Sequence, residues 1–298
     1  MSKVRWLLAA ALLAVSCAVG ATHANAAGRA ECQFAPSRIL TQLVPYCALL
    51  PPSFDADPSR RYPVLYFLHG LGDNEQSLIR FGGWNLIEDL WSKHQLGEFV
   101  IVTPEGGASF YVNSHDGRVR YEDFFLQEFL PFIEHRYRIR PGRTYRGIAG
   151  ISMGGYGALH FALKVPSRFG AVSAHSAALI ERLSAKIGAN APVPPRLRVL
   201  GEVFGSPPDP AFWDRNNPIT LARAANGLAA MSIYFDCGSE DDYGFGAGAE
   251  ALHRALESRK THHEFHLYPG RHNWEYFAAH LSASLEFHSR RFGLQTGK

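Results

Sequence analysis

The sequence has few cysteines and lacks the motifs in which cysteine and histidine commonly bind zinc. Only four cysteines occur in 298 residues, and no two of them are spaced C-x-x-C. The 14 histidines form no H-E-x-x-H pattern. The common structural and catalytic zinc sites are therefore not expected, and we predict a protein that uses no metal ion and no organic cofactor.

An excess of one charge and long apolar runs are also absent. The formal net charge is +3 and charged residues make up 19% of the chain, which excludes a strongly basic nucleic-acid-binding protein and a disordered acidic chain. The uncharged, mostly apolar run at residues 6–19 is shorter than the about 20 residues that span a bilayer. We expect no transmembrane span and no nucleic-acid partner, and the sequence does not indicate an oligomeric state.

The N-terminus has the three parts of a secretory signal. Lys3 and Arg5 precede the apolar run, and Ala24-Asn25-Ala26 places small residues where a signal peptidase cuts. We predict a signal peptide over residues 1–26 and a secreted or periplasmic protein. The alternative is a lipoprotein site at Cys17, although Ala14 stands where such sites usually carry leucine.

The remaining cysteines agree with an oxidising compartment. A bridge between Cys32 and Cys47 would close a loop of about 15 residues and stabilise the fold by about 3 kcal/mol. Two unpaired thiols are the alternative. Cys237 follows an apolar run and is expected to pack as a small hydrophobic residue.

Short apolar runs alternate with amphipathic stretches along the chain. Strands are predicted at residues 64–68, 99–102, 143–149, 171–174, 232–236 and 264–267. Helices are predicted at residues 84–91, 121–136, 155–164 and 249–258, and from Trp274 onward. This alternation predicts an α/β fold with a mostly parallel central sheet flanked by helices.

One segment interrupts the alternation. Residues 176–229 are rich in proline and contain only short helical patterns, near residues 211–213 and 220–225. Long irregular insertions in compact domains are usually binding loops or lids. Because no linker is evident, we predict a single domain over residues 27–298 with a lid-like insertion at about 176–229.

The strongest chemical signal is Gly150-Ile151-Ser152-Met153-Gly154, a G-x-S-x-G motif between a predicted strand and a predicted helix. In that context the serine lies on a sharp turn that exposes its hydroxyl as a nucleophile. Gly150 and Gly154 are required because side chains there would collide across the turn. A packing turn with an incidental serine is the alternative.

A nucleophilic serine needs a base and an acid, which follow it in the order Ser, Asp, His in this kind of sheet. Among the later histidines, only His272 falls in a loop directly after a strand, where catalytic side chains collect. The acid is expected in the loop after residue 236, where Glu240, Asp241 and Asp242 are candidates.

Two backbone amides should bind the oxyanion of the reaction. One is that of Met153, directly after the serine, and the other is that of Leu71 in His69-Gly70-Leu71-Gly72. The glycines on either side of Leu71 allow the backbone to approach a substrate.

These motifs together resemble the esterase D family of α/β-hydrolases, which includes feruloyl esterases, S-formylglutathione hydrolases and mycolyltransferases. The resemblance covers roughly residues 44–287. It rests on His69-Gly70-Leu71-Gly72, the serine motif, Asp236-Cys237-Gly238 and Pro269-Gly270-Arg271-His272. It implies an α/β-hydrolase fold, with Ser152, an aspartate of the loop after residue 238 and His272 as the triad, and Leu71 and Met153 as oxyanion donors.

The resemblance also bears on the choice of acid. The spacing Asp236-Cys237-Gly238-x-x-Asp241 is similar to the family's placement of the acid, which favours Asp241 over Asp242. The sequence departs from the family at Arg271, where many members carry a second glycine, and we expect this arginine at the rim of the pocket.

Four residues are candidates for substrate contacts. Tyr111 and Asn113 lie in a glycine-rich loop after a strand, and Trp213 and Phe245 offer apolar surface. Each of these residues has an ordinary structural role as its alternative.

The expected function is that of an exported serine hydrolase of small-molecule or glycan-linked carboxylic esters. Acyl transfer to an alcohol on the same triad, as in mycolyltransferases, is an alternative that the sequence does not separate from hydrolysis. A non-catalytic binding protein on a hydrolase frame is the alternative from another class.

Overall fold

The computed structural model describes residues 27–182 and 195–294. The expected signal peptide, including Cys17, lies outside the described residues, as does the middle of the insertion at 183–194. The described chain is an α/β structure, in which one mixed sheet is covered by helices on both faces.

The sheet in the described ranges has eight strands. They are β1 (Arg29–Ser37), β2 (Gln42–Leu50), β3 (Val64–Leu68), β4 (Val100–Pro104), β5 (Arg146–Ile151), β6 (Ala171–His175), β7 (Ser232–Gly238) and β8 (Glu264–Tyr268). Their order across the sheet is β1-β2-β4-β3-β5-β6-β7-β8. Every neighbouring pair from β4 to β8 is parallel, whereas β2 runs antiparallel to both β1 and β4. The prediction of a mostly parallel sheet is confirmed.

Helices connect the parallel strands. They are α1 (Ser77–Arg80), α2 (Gly83–Ser92), α3 (Tyr121–Phe124), α4 (Leu130–Arg136), α5 (Met153–Lys164), α6 (Pro195–Phe204), α7 (Pro210–Asn216), α8 (Pro218–Ala224), α9 (Phe245–Ser258) and α10 (Trp274–Arg291). The predicted helix at 121–136 is helical throughout, but a π-helical turn at Phe125–Phe129 separates α3 from α4.

The central strands are apolar on both sides, which is why they read as continuous hydrophobic runs. In β3, Val64, Tyr66 and Leu68 face the cluster formed with α4, α5 and α9, while Leu65 and Phe67 face the cluster formed with α2 and α10. Because both faces are covered, the loops at the carboxyl ends of the parallel strands are the accessible part of the sheet.

The antiparallel hairpin of β1 and β2 was not predicted from the sequence. The exposed face of β1 gives it a weak hydrophobic pattern, and its central residues are mostly polar or exposed. Cys32 and Cys47 are direct partners across the hairpin and are joined by a disulfide, as predicted. Cys237 is an unpaired buried thiol, which confirms its expected packing role.

The described parts of the insertion contain more helix than the sequence indicated. The short helical patterns near residues 211–213 and 220–225 correspond to α7 and α8, but α6 was missed. Asp209 and Asn217 cap α7 and α8 through their side chains. Across the residues that the structure describes, no helix is both long enough and apolar enough to span a membrane.

Candidate active site

Ser152 lies at the junction of β5 and α5 with a strained backbone. Its φ of 53° and ψ of −117° are unusual for a residue that is not glycine. A Cβ at Gly150 would lie 2.3 Å from backbone atoms of Gly154, and one at Gly154 would lie 2.0 Å from the Leu68 carbonyl oxygen. The predicted need for glycine at both positions is confirmed.

The structure brings His272 to this serine. His272 Nε2 is 2.9 Å from Ser152 Oγ, and its Nδ1 is 2.7 Å from Asp241 Oδ2. The histidine lies in the short loop between the end of β8 at Tyr268 and the N-cap of α10 at Asn273. Three aromatic rings make edge contacts with the imidazole and restrict its rotation: Tyr243, Phe245 and Phe277.

Asp241 is surrounded by hydrogen-bond donors. Its Oδ1 accepts bonds from the backbone amides of Tyr243 and Phe245, and the Cys237 thiol lies 3.8 Å from Oδ2. Burial tends to raise the pKa of this carboxyl, but His272 and the two amides outweigh burial and lower the pKa below its usual value. Asp241 is therefore ionised at neutral pH and accepts the hydrogen bond from His272 Nδ1.

Asp242 contacts the same loop in a different way. Its Oδ2 accepts a hydrogen bond of 3.1 Å from the backbone amide of His272, and its Oδ1 binds the guanidinium of Arg271. The ion pair with Arg271 lowers the pKa of Asp242. Of the three acidic candidates, the structure therefore brings Asp241 to the imidazole, and Asp242 to the main chain of the histidine loop.

The two expected oxyanion donors line the same pocket as Ser152. Leu71 follows β3, Met153 begins α5, and no described residue accepts a hydrogen bond from either amide. Since β3 and β5 are neighbours in the sheet, the two amides reach the pocket from adjacent strands. A methyl group at Gly70 would lie 3.5 Å from Ser152 Cβ, which shows how closely the first loop approaches the serine.

The pocket at Ser152 has a volume of about 510 Å³, which is within the usual range for small-molecule sites. Its walls are mainly apolar. The apolar wall residues come from the loop after β4, the insertion, and the first turns of α9 and α10. In that order they are Phe110, then Ala178, Ile180 and Leu200, then Phe245, then Phe277. The insertion therefore contributes to the pocket wall, and Phe245 lies there as the sequence suggested.

Three residues that were expected to contact substrate do not line this pocket. Tyr111 is fully buried, and its hydroxyl donates to the His69 carbonyl oxygen. Asn113 accepts a hydrogen bond from the Asp123 amide, and Trp213 packs in the core against Phe204. We correct the expectation for all three, because each side chain is used within the fold.

Sequence reasoning missed two features of the pocket. Asp73 lies on its wall, where burial raises the pKa of the carboxyl above its usual value. Trp274 also lines it and stacks on the exposed ring of Phe81 at a centroid distance of 4.6 Å. Asp73 could have been predicted to lie at the pocket from the sequence, because it stands three residues after Gly70 in the loop that follows β3.

Two other polar pairs lie in the core and do not reach the pocket. Ser173 Oγ is 2.9 Å from His288 Nε2, and both side chains are fully buried. His175 Nδ1 is 2.7 Å from Asp236 Oδ2, and Asp236 also accepts a hydrogen bond from Tyr276. Ser173 is therefore closed to substrate, and Asp236 is engaged with His175 and Tyr276 in the core.

Within the described ranges, no group of three or more histidine, cysteine, aspartate or glutamate side chains is arranged to hold a metal ion. The groups that meet at the pocket include the Ser152 hydroxyl, the His272 imidazole with its Asp241 partner, and the backbone of Leu71 and Met153.

Comparison with known proteins identifies a family. Residues 37–288 match the family model described as "Putative esterase". An esterase of Mycobacterium tuberculosis is 38% identical over 133 residues, which is 43% of this chain and 28% of that protein. An acetyl esterase of Caldicellulosiruptor saccharolyticus is 27% identical over 240 residues, which is 78% of this chain and 85% of that protein.

Solved structures show the same architecture. A ferulic acid esterase superposes with a TM-score of 0.77 at 27% identity, over 90% of this chain and all of that one. An S-formylglutathione hydrolase from Agrobacterium tumefaciens gives a TM-score of 0.71 at 20% identity, over 90% of this chain and 97% of that one. The predicted α/β-hydrolase fold is confirmed.

Proposed function

Because the chain belongs to the "Putative esterase" family of α/β-hydrolases, we propose that it is a serine hydrolase that cleaves carboxylic esters. The observation that carries the proposal is the continuous hydrogen-bonded series from Ser152 through His272 to Asp241, which opens into a pocket. Serine, histidine and aspartate in this arrangement generate a nucleophile at neutral pH.

The protonation of His272 follows from its partners. Ionised Asp241 can only accept a hydrogen bond, so His272 carries its proton on Nδ1 and leaves Nε2 free to accept the proton of Ser152. Attack of Ser152 Oγ on the acyl carbon transfers that proton to Nε2. Asp241 then stabilises the imidazolium that results.

The negative charge that develops on the substrate's carbonyl oxygen needs donors that are already in place. The amides of Leu71 and Met153 meet this requirement, since neither is engaged with another described residue. Loss of one such donor costs about 3–4 kcal/mol of transition-state stabilisation in related chemistry.

Collapse of the tetrahedral intermediate releases the alcohol, which takes the proton from His272 Nε2, and leaves the acyl group on Ser152. Water then attacks the acyl-enzyme with His272 as the base, and the free acid leaves. Every proton is carried by the triad, so the cycle requires no cofactor.

The substrate is proposed to be a small or glycan-linked ester with an apolar acyl group. The pocket walls are mainly apolar, and similar proteins are named acetyl esterase and ferulic acid esterase. A panel of p-nitrophenyl esters of increasing chain length, with feruloyl esters and acetylated glycans, measures the preference through kcat/KM.

Export is part of the same proposal. The Cys32–Cys47 disulfide supports an oxidising compartment, and the first 26 residues have the pattern of a cleavable signal. Mass analysis of the mature protein from its native host would locate the cleavage site, which we expect after Ala26.

The nucleophile is tested by Ser152→Ala. We expect kcat for a p-nitrophenyl ester to fall by about 10⁶, because the triad acts as a unit. The matched control is Ser173→Ala, which removes a serine that also contacts a histidine but lies outside the pocket. The control should keep most of its turnover. Turnover like that of the wild type in folded Ser152→Ala would refute the proposal.

A further inference from the structure

His69 is a buried histidine that the proposed reaction does not use. It directly follows β3 and precedes Gly70 and Leu71, and only 3% of its surface is exposed. Its Nδ1 is 2.8 Å from the carbonyl oxygen of Gly70, and its Nε2 is 2.8 Å from the backbone nitrogen of Gly106. Both ring nitrogens are therefore engaged with the main chain.

The two partners determine where the proton of the ring lies. A backbone amide can only donate, so Nε2 must accept from Gly106, and a carbonyl oxygen can only accept, so Nδ1 must donate to Gly70. With these two partners the ring of His69 donates from Nδ1 and accepts at Nε2, and the Glu105 carboxylate, whose Oε1 lies 3.6 Å from Nε2, is beyond hydrogen-bond distance. In the opposite tautomer, Nε2–H and the Gly106 amide would be two donors facing each other, and Nδ1 and the Gly70 carbonyl oxygen would be two acceptors facing each other.

The Gly70 carbonyl belongs to the same peptide unit as the amide of Leu71. In a planar trans peptide the C=O and the N–H point in opposite directions. A bond that holds the Gly70 oxygen toward the buried imidazole therefore turns the Leu71 N–H away from the core. That side is the pocket, which Gly70, Leu71 and Ser152 line together.

We propose that His69 is a positioning residue, which orients the Leu71 peptide so that its amide serves as an oxyanion donor. The inference rests on the proposed ester hydrolysis at Ser152. A hydrogen bond to the carbonyl also polarises the peptide and makes its N–H a better donor. His69 does not touch the substrate, and it acts only through the peptide that it holds.

The surrounding residues hold His69 in this orientation. The hydroxyl of Tyr111 donates to the His69 carbonyl oxygen at 3.0 Å, so both peptide units around Gly70 are fixed from the core side. A Cβ at Gly106 would lie 2.5 Å from the Tyr111 ring, which requires glycine at that position. Phe110 and Tyr111 both have a positive φ, which turns Tyr111 inward while Phe110 lines the pocket.

Two substitutions separate the functions of the two ring nitrogens. In His69→Asn, the side-chain NH₂ stands near the position of Nδ1 and can donate to Gly70. In His69→Gln, the side-chain oxygen stands near the position of Nε2 and can accept from Gly106. No side-chain donor then faces Gly70, whose carbonyl oxygen keeps only the hydrogen bond of 3.2 Å from the Asp73 backbone amide. Both variants replace the ring with an amide, so they serve as matched controls for the loss of its volume.

We expect His69→Gln to lower kcat about 100-fold with KM changed less than threefold, since the cost approaches that of losing an oxyanion donor. His69→Asn should stay within about fivefold of the wild type. A boronic acid that mimics the tetrahedral intermediate should bind His69→Gln more weakly in proportion to the loss of kcat/KM. The carboxylic acid product should bind both variants alike.

Thermal unfolding of each variant is measured beside the kinetics. Equal losses of kcat in both variants, or unchanged kcat in His69→Gln, would overturn the proposal. The tautomer is tested on the wild type by ¹⁵N chemical shifts of the His69 ring, so the test does not depend on the variants folding; a proton on Nε2 would also overturn it. Wild-type turnover that persists in Ser152→Ala would instead mean that the proposed function has failed.

Discussion

Asp241 and Asp242 contact the same histidine through different groups. Asp241 accepts the ring Nδ1 hydrogen bond, whereas Asp242 accepts the backbone amide hydrogen bond of His272. The side chain of Asp241 is almost completely buried, while Asp242 lies at the surface beside Arg271. The inner carboxylate therefore sets the protonation and orientation of the ring, and the outer one supports the loop.

This division of roles predicts different kinetic effects for two isosteric substitutions. Asp241→Asn should lower kcat at neutral pH by about 10⁴, because an amide in place of the carboxylate favours the wrong histidine tautomer. Asp242→Asn should lower kcat by less than about tenfold, since the asparagine oxygen can still accept from the His272 amide.

Steady-state assays of the two variants, with thermal melting to establish that both are folded, make the comparison. A larger loss in Asp242→Asn than in Asp241→Asn would assign the role of the acid to Asp242.

Helix α5 carries the serine at its first turn and is tied to the insertion near its end. His160 Nδ1 lies 2.9 Å from the Asn216 carbonyl oxygen at the end of α7, and its Nε2 lies 3.1 Å from Glu122 in α3. Lys164 Nζ contacts the same carboxylate at 2.8 Å. These contacts join the helix that follows Ser152 to α7, which belongs to the same insertion as the pocket residues Ile180 and Leu200.

The charge of Glu122 makes this connection depend on pH. Burial alone would raise the pKa of the carboxyl, but His160 and Lys164 outweigh burial and lower it from 4.5 to about 2. Because the folded-state pKa lies below the unfolded one, the ionised carboxylate stabilises the fold at neutral pH. That stabilisation decreases as the pH falls from about 4.5 and is lost as it passes about 2.

We expect Glu122→Gln to lower the free energy of unfolding at pH 7 by roughly 3 kcal/mol, since one pKa unit corresponds to about 1.4 kcal/mol. The difference from the wild type should shrink steadily as the pH is lowered toward 2. Urea denaturation at pH 7, 4 and 2.5 measures it. The matched control is Asp89→Asn, which breaks the exposed pair with Lys93 and should cost less than about 0.5 kcal/mol.

If the difference in unfolding free energy between the wild type and Glu122→Gln were the same at all three pH values, the proposed role of this carboxylate would be wrong.

For the molecule as a whole, the parallel part of the sheet and the contacts that join Ser152, His272 and Asp241 were predictable from the sequence. The strand at Val64–Leu68 has the predicted bounds, because a strand buried on both faces reads as an uninterrupted apolar run. Ser152 and His272 could be identified because the turn after β5 and the loop after β8 each follow a strand that is visible in the sequence.

The rest could not be predicted, because it depends on contacts between distant parts of the chain. The exposed strand β1 has no clear alternation of apolar and polar residues. The polar residues in and around α6 weaken its helical pattern of apolar residues. Tyr111 lies in a glycine-rich loop that resembles a substrate-binding loop, but its positive φ turns the ring into the core. The sequence identifies the loop but does not determine which of its side chains points outward.

In the proposed reaction, Ser152 carries the acyl group during turnover. The most direct measurement is acid quenching of the enzyme during the burst phase with a p-nitrophenyl ester, followed by mass spectrometry of its peptides. We predict about one acyl group per chain, attached to the peptide that contains Ser152, and none in Ser152→Ala. An acyl group on another residue, or steady ester turnover by folded Ser152→Ala, would contradict the assignment of Ser152 as the nucleophile.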